Sequence, residues 1–442
     1  MASECCMSPS GRISDVFVED AARQGAYDFI ESRRCHAGGL LAASQRACAL
    51  RSCEHPYIFV PLDGTSLSLV DRCGTKDFGA VGTRQKGARG LKVIDAIGVS
   101  PDGTPLGVAT LQWWARGPEP RKRARHRKPT DRETTHWLDA VRDVAAMMDR
   151  YAPNTKAWFQ VDREGDGLHM LTELASSRHL FTVRSNGTRR LVSSGGRKYL
   201  RPYIERRAPD GYMHIQVSSS PYRSARLAHM AIRFSRVTLQ MKDRWHKTTA
   251  ALPVYVVHVR EVRTTPRDEK PLDWILLTNH PVRTLKDAKR VVLGYSQRWR
   301  IEDFHKTWKS GVCDVESTQL RARAHVITWA TMLAAVAVRV ERIKHLSREQ
   351  PDRPASDELS PSEIRALILL KRKYKKRTET IPDSVPTMAD ATKWIAQLGG
   401  YTGKSSGGPP GSITIGRGFE RLRSAAAVVE MLEPAEKKSR KR

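Results

Sequence analysis

The sequence predicts a mixed α/β layer carrying a β-rich insertion, with helical regions at both ends. Three observations predict it. Between residues 57 and 186, apolar runs of strand length alternate with longer runs of helical period. Between 187 and 270, short strand-like runs alternate with polar turns. Before residue 57 and after residue 285, helical patterns dominate.

Taken in order, "DVFVEDAARQGAYDFIESRR" is the clearest amphipathic piece of the amino end. "YIFVPLD" reads as a buried strand that ends at Asp63, with a turn at Gly64. "LKVIDAIGVSPDGTPLGVATLQWWAR" reads as two strands joined through Asp102-Gly103. "THWLDAVRDVAAMMDRYA" predicts a helix, "AWFQVD" a short strand ending at Asp162, "GLHMLTELASS" a helix and "HLFTVRSN" a strand. "YMHIQVS", "RVTLQM" and "LPVYVVHVREV" are the strands of the insertion, and "LDWILLT" returns to the main layer. Helices follow from about Leu285 and over 315–345, then through "MADATKWIAQLGG" and "ERLRSAAAVVEML". The basic runs "RKRARHRK" and "KRKYKKR" read as loops, and the tail "EKKSRKR" as disordered.

Composition narrows the partners. Lys and Arg number 76 against 47 acids, a net charge of +29 over 442 residues. Such an excess calls for a polyanion, most commonly nucleic acid. No apolar run reaches membrane length; "WATMLAAVAV" is short enough to be a core helix. The seven cysteines form no CxxC pair, which argues against a zinc site or disulfide framework. The first residues lack a signal-peptide pattern, so the expected location is cytoplasmic.

Three acids stand out. Asp63 and Asp162 each follow an apolar run that predicts a central strand. Singly, Asp63 fits an Asp-Gly turn and Asp162 fits a helix N-cap equally well. Glu302 lies in "YSQRWRIEDFHKTWK". If that stretch is one helix, Tyr295, Arg298, Glu302 and Lys309 fall within an arc of about 60°. Such a face offers a carboxylate for a metal and cations for phosphate. It equally fits a solvated face with an i,i+4 Arg298–Glu302 pair, leaving Trp299, Ile301 and Trp308 to the core.

"YSQRWRIEDFHKTWKSG" resembles the Y-(2)-R-(3)-E-(6)-K signature of the insertion-sequence-four family of DDE transposases, including that of the transposon-five transposase. "PLDGTSLSL" resembles the family's first-Asp motif and "VDREGD" its second, in the same order. "LQWWAR", "PLDWILLT" and "WIAQLGGY" resemble further family segments, so the likeness spans roughly residues 19–430. It implies a ribonuclease-H-like mixed sheet core, with Asp63, Asp162 and Glu302 as catalytic metal ligands. Two Mg²⁺ ions, replaceable by Mn²⁺, are the implied cofactors. Tyr295, Arg298 and Lys309 are implied to grip phosphates beside a base flipped out of the transposon end. Trp274 is implied to stack on that base, although the strand it sits on suits a core Trp as well. Arg184 is implied to lie near the flipped strand, where a solvent-facing Arg is the plainer alternative.

The implied reaction is cut-and-paste transposition. It proceeds through nicking, closure of a DNA hairpin, its reopening, and strand transfer into target DNA. The implied partners are double-stranded transposon-end and target DNA, and a second copy of the chain in a synaptic homodimer. The implied organisation is a partial helical DNA-binding region (1–56) and a catalytic core in two parts (57–186 and 271–345). The insertion (187–270) interrupts that core, and a helical dimerisation region with a basic tail (346–442) follows it. The amino end departs from the family, whose members usually carry a longer helical domain before the first Asp: 62 residues precede Asp63, "EDAARQGAYDFIES" resembles the end of that domain, and "MASECCMSPSGRIS" does not resemble its beginning. Two alternatives therefore stand beside the enzyme: a DNA-binding, dimerising inhibitor, and a metal-dependent nuclease without transposition.

Overall fold

A computed structural model describes the chain except residues 83–86, 118–132, 193–197, 218, 220–222, 244–247, 376–378, 382, 404–407 and 433–442. The run "RKRARHRK" and the tail "EKKSRKR" lie outside the described residues. Four helices open the chain: α1 (Ala2–Met7), α2 (Ile13–Val16), α3 (Asp20–Glu31) and α4 (Ala37–Ser52). The first part of the sheet follows as β1 (Tyr57–Ser68), β2 (Gly79–Ala80), β3 (Arg89–Val99) and β4 (Pro105–Trp114). Then come α5 (Thr134–Tyr151), β5 (Lys156–Val161), α6 (Leu168–Ser176) and β6 (Leu180–Ser185). The insertion supplies β7 (Arg190–Leu191), α7 (Leu200–Glu205), β8 (Gly211–Val217), β9 (Arg226–Asp243) and β10 (Thr248–Glu261). The chain closes with β11 (Asp273–Thr278), α8 (Leu285–Ser296), α9 (Trp299–Lys309), α10 (Arg323–Glu349), α11 (Pro361–Tyr374), α12 (Met388–Leu398) and α13 (Ser412–Leu432).

The fold is the mixed α/β one that the sequence predicts, and it is consistent with a ribonuclease-H-like core. The described strands form one sheet in the order β2-β3-β1-β5-β6-β11-β10-β9-β7, with β4 on β3 and β8 on β9. β1, β5 and β6 run parallel, and the other pairs are antiparallel. The long hairpin of β9 and β10 continues the core sheet through β11 rather than forming a separate layer.

Strand period two sorts side chains onto two faces. On β1, Ile58, Val60 and Leu62 join a core with α4, α5 and α6, whereas Phe59 joins a second core with α8, α9 and α10. On β3, Ile94 and Ala96 take the first face, and Val93 and Ile97 the second. On β5, Phe159 and Val161 take the first, and Trp158 the second. By the same alternation Asp63, Asp95 and Asp162 belong to the face that α9 covers. There Ile301, Phe304 and Trp308 are fully buried.

Four expectations need correction. Gly64 is not a turn: β1 runs on to Ser68, still paired with β3. A Cβ at Gly64 would meet Ile94 and Trp137 packed beneath the strand. The stretch from Tyr295 to Lys309 is not one helix. Arg298, Arg300 and Ile301 each donate their N–H to the residue three back, which tightens the chain between α8 and α9. Trp299 is therefore not in the core but 55 % exposed. Finally, Lys371–Tyr374 of the "KRKYKKR" run form the last turn of α11 rather than a loop. Lys371 itself is buried and bonds Gln397 at 3.0 Å.

Local chemistry sets the approach of the helices. Thr284 and Asp287 form a reciprocal capping box that starts α8. Trp308 Nε1 donates to the Ala330 carbonyl at 2.9 Å, and Thr307 donates to Glu341, so α9 is tied to α10. The amino end packs on the same side. Cys5, Ile13, Val16 and Phe17 enter the core, and Trp329 Nε1 donates to the Gly11 carbonyl at 3.0 Å.

Candidate active site

β1 and β5 are parallel neighbours with Leu62 beside Val161. The next residues, Asp63 and Asp162, therefore sit side by side at the carboxyl end of β5. Open α/β sheets present their chemistry at this kind of edge. Asp63 stays in the sheet opposite Asp95. Asp162 leaves it and caps a 3₁₀ turn, its Oδ1 accepting the Glu164 N–H at 2.7 Å. The N-cap reading of Asp162 is thus correct, and it leaves Oδ2 available.

Glu302 arrives in the first turn of α9. Arg298, at the junction of α8 and α9, forks between two acids. Its Nη1 is 3.2 Å from Asp63 Oδ2, and its Nη2 is 2.7 Å from Glu302 Oε1. Burial pushes the Asp63 carboxyl up to about 6, although Arg298 and His305 pull the other way. For Arg298, burial works against the charge, but Asp63, Tyr295 and Glu302 outweigh it and hold the guanidinium above its ordinary value. Lys309, at the end of α9, reaches Thr65 Oγ1 at 3.3 Å and Glu316 at 3.7 Å.

Trp274 and Arg184 stand on adjacent strands, β11 and β6. Trp274 is buried and meets Tyr295 edge-on, with ring centroids 5.4 Å apart. Burial raises the Tyr295 phenol. Burial also lowers the Arg184 guanidinium, whose Nη2 donates to the Asp273 carbonyl at 3.2 Å while its Nε has no partner. These side chains and Arg298 line a cavity of about 320 Å³, with exposed Trp299 at its wall. Arg163, Arg201, Arg223 and Lys270 also line it, so the cavity is strongly cationic. Sequence reasoning missed those four, and scattered Arg and Lys in a basic chain carry no local signal. It also missed Asp95 and His305. Asp95 was legible as an acid inside the apolar run "KVIDAIGV", and His305 as one turn beyond Glu302.

The chemistry of Asp63, Asp162 and Glu302 fits a hard divalent cation, since all three are carboxylates on rigid supports. The guanidinium between Asp63 and Glu302 shows that this corner calls for positive charge. The three are not drawn tightly together, however. Among the described residues, the group of three possible ligand side chains with all ligand atoms within 4.8 Å is Glu205, His258 and Asp273. A cation already fills that group: Arg201 Nη1 lies 2.8 Å from Glu205 and 2.8 Å from Asp273. His258 Nε2 lies 3.0 Å from the other Asp273 oxygen. Burial works against the Asp273 charge, yet the His258 and Arg201 hydrogen bonds hold its carboxyl far below the usual range. This second group braces the strand that carries Trp274.

With this geometry in place, comparison with known families gives one result. The family model of the transposase DDE domain matches residues 110–339. The match covers half of the chain and includes Asp162, Trp274 and Glu302; Asp63 precedes it. The chain belongs to the DDE transposase family. It is accordingly a DNA-acting protein of a family of metal-dependent nucleases and strand transferases. No described helix is long and apolar enough to cross a membrane.

Proposed function

We propose that the chain is a cut-and-paste transposase of the insertion-sequence-four group, similar to the transposon-five transposase, with Asp63, Asp162 and Glu302 as its catalytic acids. The observation that carries this reading is the Arg298 fork. It joins an acid from the sheet to an acid from α9, with Asp162 just past the end of the next strand. Mg²⁺ ions held by the three carboxylates would supply Lewis-acid activation of the attacking and leaving oxygens. Mn²⁺ shares the preference for oxygen ligands and would substitute.

The remaining tasks fall to the protein's own side chains. Arg298 and Lys309 hold phosphate oxygens at the reacting strand. As Arg298 turns to phosphate, it releases Asp63 and Glu302. Tyr295 and Arg184 fix the wall of the cationic cavity, and Trp274 stacks on an extruded base. Extrusion costs a few kcal/mol, and stacking returns about 1–3 kcal/mol per base. Water first cuts one strand and leaves a 3′-OH. That hydroxyl attacks the opposite phosphodiester, closes a hairpin and expels the flanking 3′-oxygen. A second water reopens the hairpin, and the regenerated 3′-OH attacks target DNA. Each step exchanges one P–O bond for another, so one set of acids serves all four.

The same reading assigns 1–56 and exposed residues of the basic runs to DNA contact, 57–186 with 271–345 to catalysis, 187–270 to the insertion, and 346–442 to a homodimer that pairs two DNA ends. The test is hairpin formation and strand transfer on a duplex bearing the element's terminal inverted repeat, with Mg²⁺ or Mn²⁺. The wild type should give hairpin and joined product, and Glu302→Ala neither. DNA binding without cleavage by the wild type would replace this reading with that of a dimerising inhibitor. Cleavage without hairpin or joining would leave a simple nuclease.

A further inference from the structure

Beside the three acids lies a buried pair with no part in the steps above. Asp95 is completely buried on β3, directly opposite Asp63 in the antiparallel ladder. His305 stands on α9 one turn after Glu302. Its Nε2 lies 2.9 Å and 2.8 Å from the two Asp95 oxygens. Among the described residues, His305 is the only side chain that bonds the Asp95 carboxylate. The contact therefore spans the same gap as the metal ligands, joining the strand beside Asp63 to the helix that bears Glu302.

We propose that Asp95 and His305 are positioning residues that set the spacing of Asp63 and Glu302 and so the affinity for the divalent cation. The inference rests on reading Asp63, Asp162 and Glu302 as the ligands. Two physical effects support it. First, an ion pair clamped at both oxygens limits how far α9 can shift along β1 and β3, and metal affinity depends on ligand placement. Second, Asp95 stands directly opposite Asp63 on the neighbouring strand, so a buried carboxylate lies beside the ligand set. The His305 ring stands between Asp95 and α9 as a counter-charge. Burial disfavours its charged form, but Asp95 outweighs this and raises the ring above its ordinary value. Without His305, a bare buried carboxylate would face the ligand set.

The experiment is a Mn²⁺ titration of the full chain without DNA, read by the electron paramagnetic resonance signal of free Mn²⁺. Cleavage of end DNA is measured in parallel, and thermal unfolding serves as a folding control. In His305→Ala the Mn²⁺ dissociation constant should rise about tenfold or more, the range seen when outer-shell partners are removed. His305→Gln keeps an amide donor toward Asp95 and should recover most of the loss. Asp95→Asn combined with His305→Phe removes both charges and fills the space. It should fold, yet bind Mn²⁺ as poorly as His305→Ala, and it decides the matter if His305→Ala does not fold. Wild-type Mn²⁺ affinity in either folded variant overturns the proposal. Asp63→Asn and Glu302→Ala separate the two levels. If they lose Mn²⁺ while the His305 variants keep it, the ligand reading stands and the positioning role falls. If they too keep Mn²⁺, the ligand reading fails and takes the positioning role with it.

Discussion

Two arginines in this molecule each hold two acids, with opposite results. In the insertion, Arg226 grips both oxygens of Glu261 at 2.7 Å and 2.9 Å, and reaches Glu269 at 2.6 Å. Glu261 also accepts the Leu272 N–H at 3.0 Å and the Thr264 hydroxyl at 3.1 Å. The Arg226 hydrogen bonds, aided by those of Leu272 and Thr264, bring the Glu261 carboxyl down to about 2. At the candidate active site, Arg298 gives Asp63 and Glu302 one nitrogen each, and burial raises Asp63 to about 6. Glu261 takes four donors, whereas Asp63 takes one from Arg298 and one from the Gly64 N–H and keeps accepting capacity in a half-buried corner. A fold that wanted only stability would satisfy both. Under-satisfied carboxylates at a sheet edge are where a metal and a phosphate can still bind.

The sharpest way to break this contrast is to remove an acid from each region. Glu302→Ala should lower DNA cleavage by roughly 10³-fold or more, because metal-assisted charge stabilisation is worth several kcal/mol. Its folding stability should change little, since Glu302 is 39 % exposed. Gel assays and urea unfolding together check both halves. Arg226→Ala should do the reverse. It strands the fully buried Glu261, at a cost of about 3–5 kcal/mol in urea unfolding. Any Glu302-dependent cleavage should remain in the fraction that folds.

Acid sharpens the comparison further. Glu261 is lowered in the fold, so the folded state binds its proton less readily than the unfolded chain. The stability it adds is complete above the ordinary carboxylate value. It is lost as the pH falls through the window down to about 2. Wild-type unfolding free energy should drop across that window, and Arg226→Ala should show a flatter profile. The smallest effect is at the rim of the site. Lys309→Ala should weaken binding to all DNA sequences alike and reduce the slope of log affinity against log salt by about 1, measured by fluorescence anisotropy.

Much of this was legible in the chain. Strand-length apolar runs marked β1, β5 and β11. Asp162 follows "AWFQV" on its expected element, and the Asp102-Gly103 hairpin turns with Gly103 at φ +92°. The Tyr295–Lys309 stretch was harder. Helical arithmetic at 100° per residue assumes an unbroken helix, and three i→i−3 hydrogen bonds at the α8–α9 junction break it. Arg298 is consequently a hinge residue facing two acids rather than a step on one face, and Trp299 turns outward. At Gly64 a local turn signal was overridden, because β3 continues to pair across it.

By itself, then, the sequence determined the periodic content: which segments are strands and helices, that two aspartates end apolar runs, and that the chain seeks a polyanion. These follow from local spacing and net charge, which need no partner in space. Only the tertiary structure decided that Arg298 bridges Asp63 and Glu302, that Asp95 opposes Asp63, and that His305 closes on Asp95. It also decided that Arg201 bridges Glu205 and Asp273 beside His258. Each of these joins residues far apart in the chain through sheet register or helix docking. No local pattern in the chain encodes those contacts.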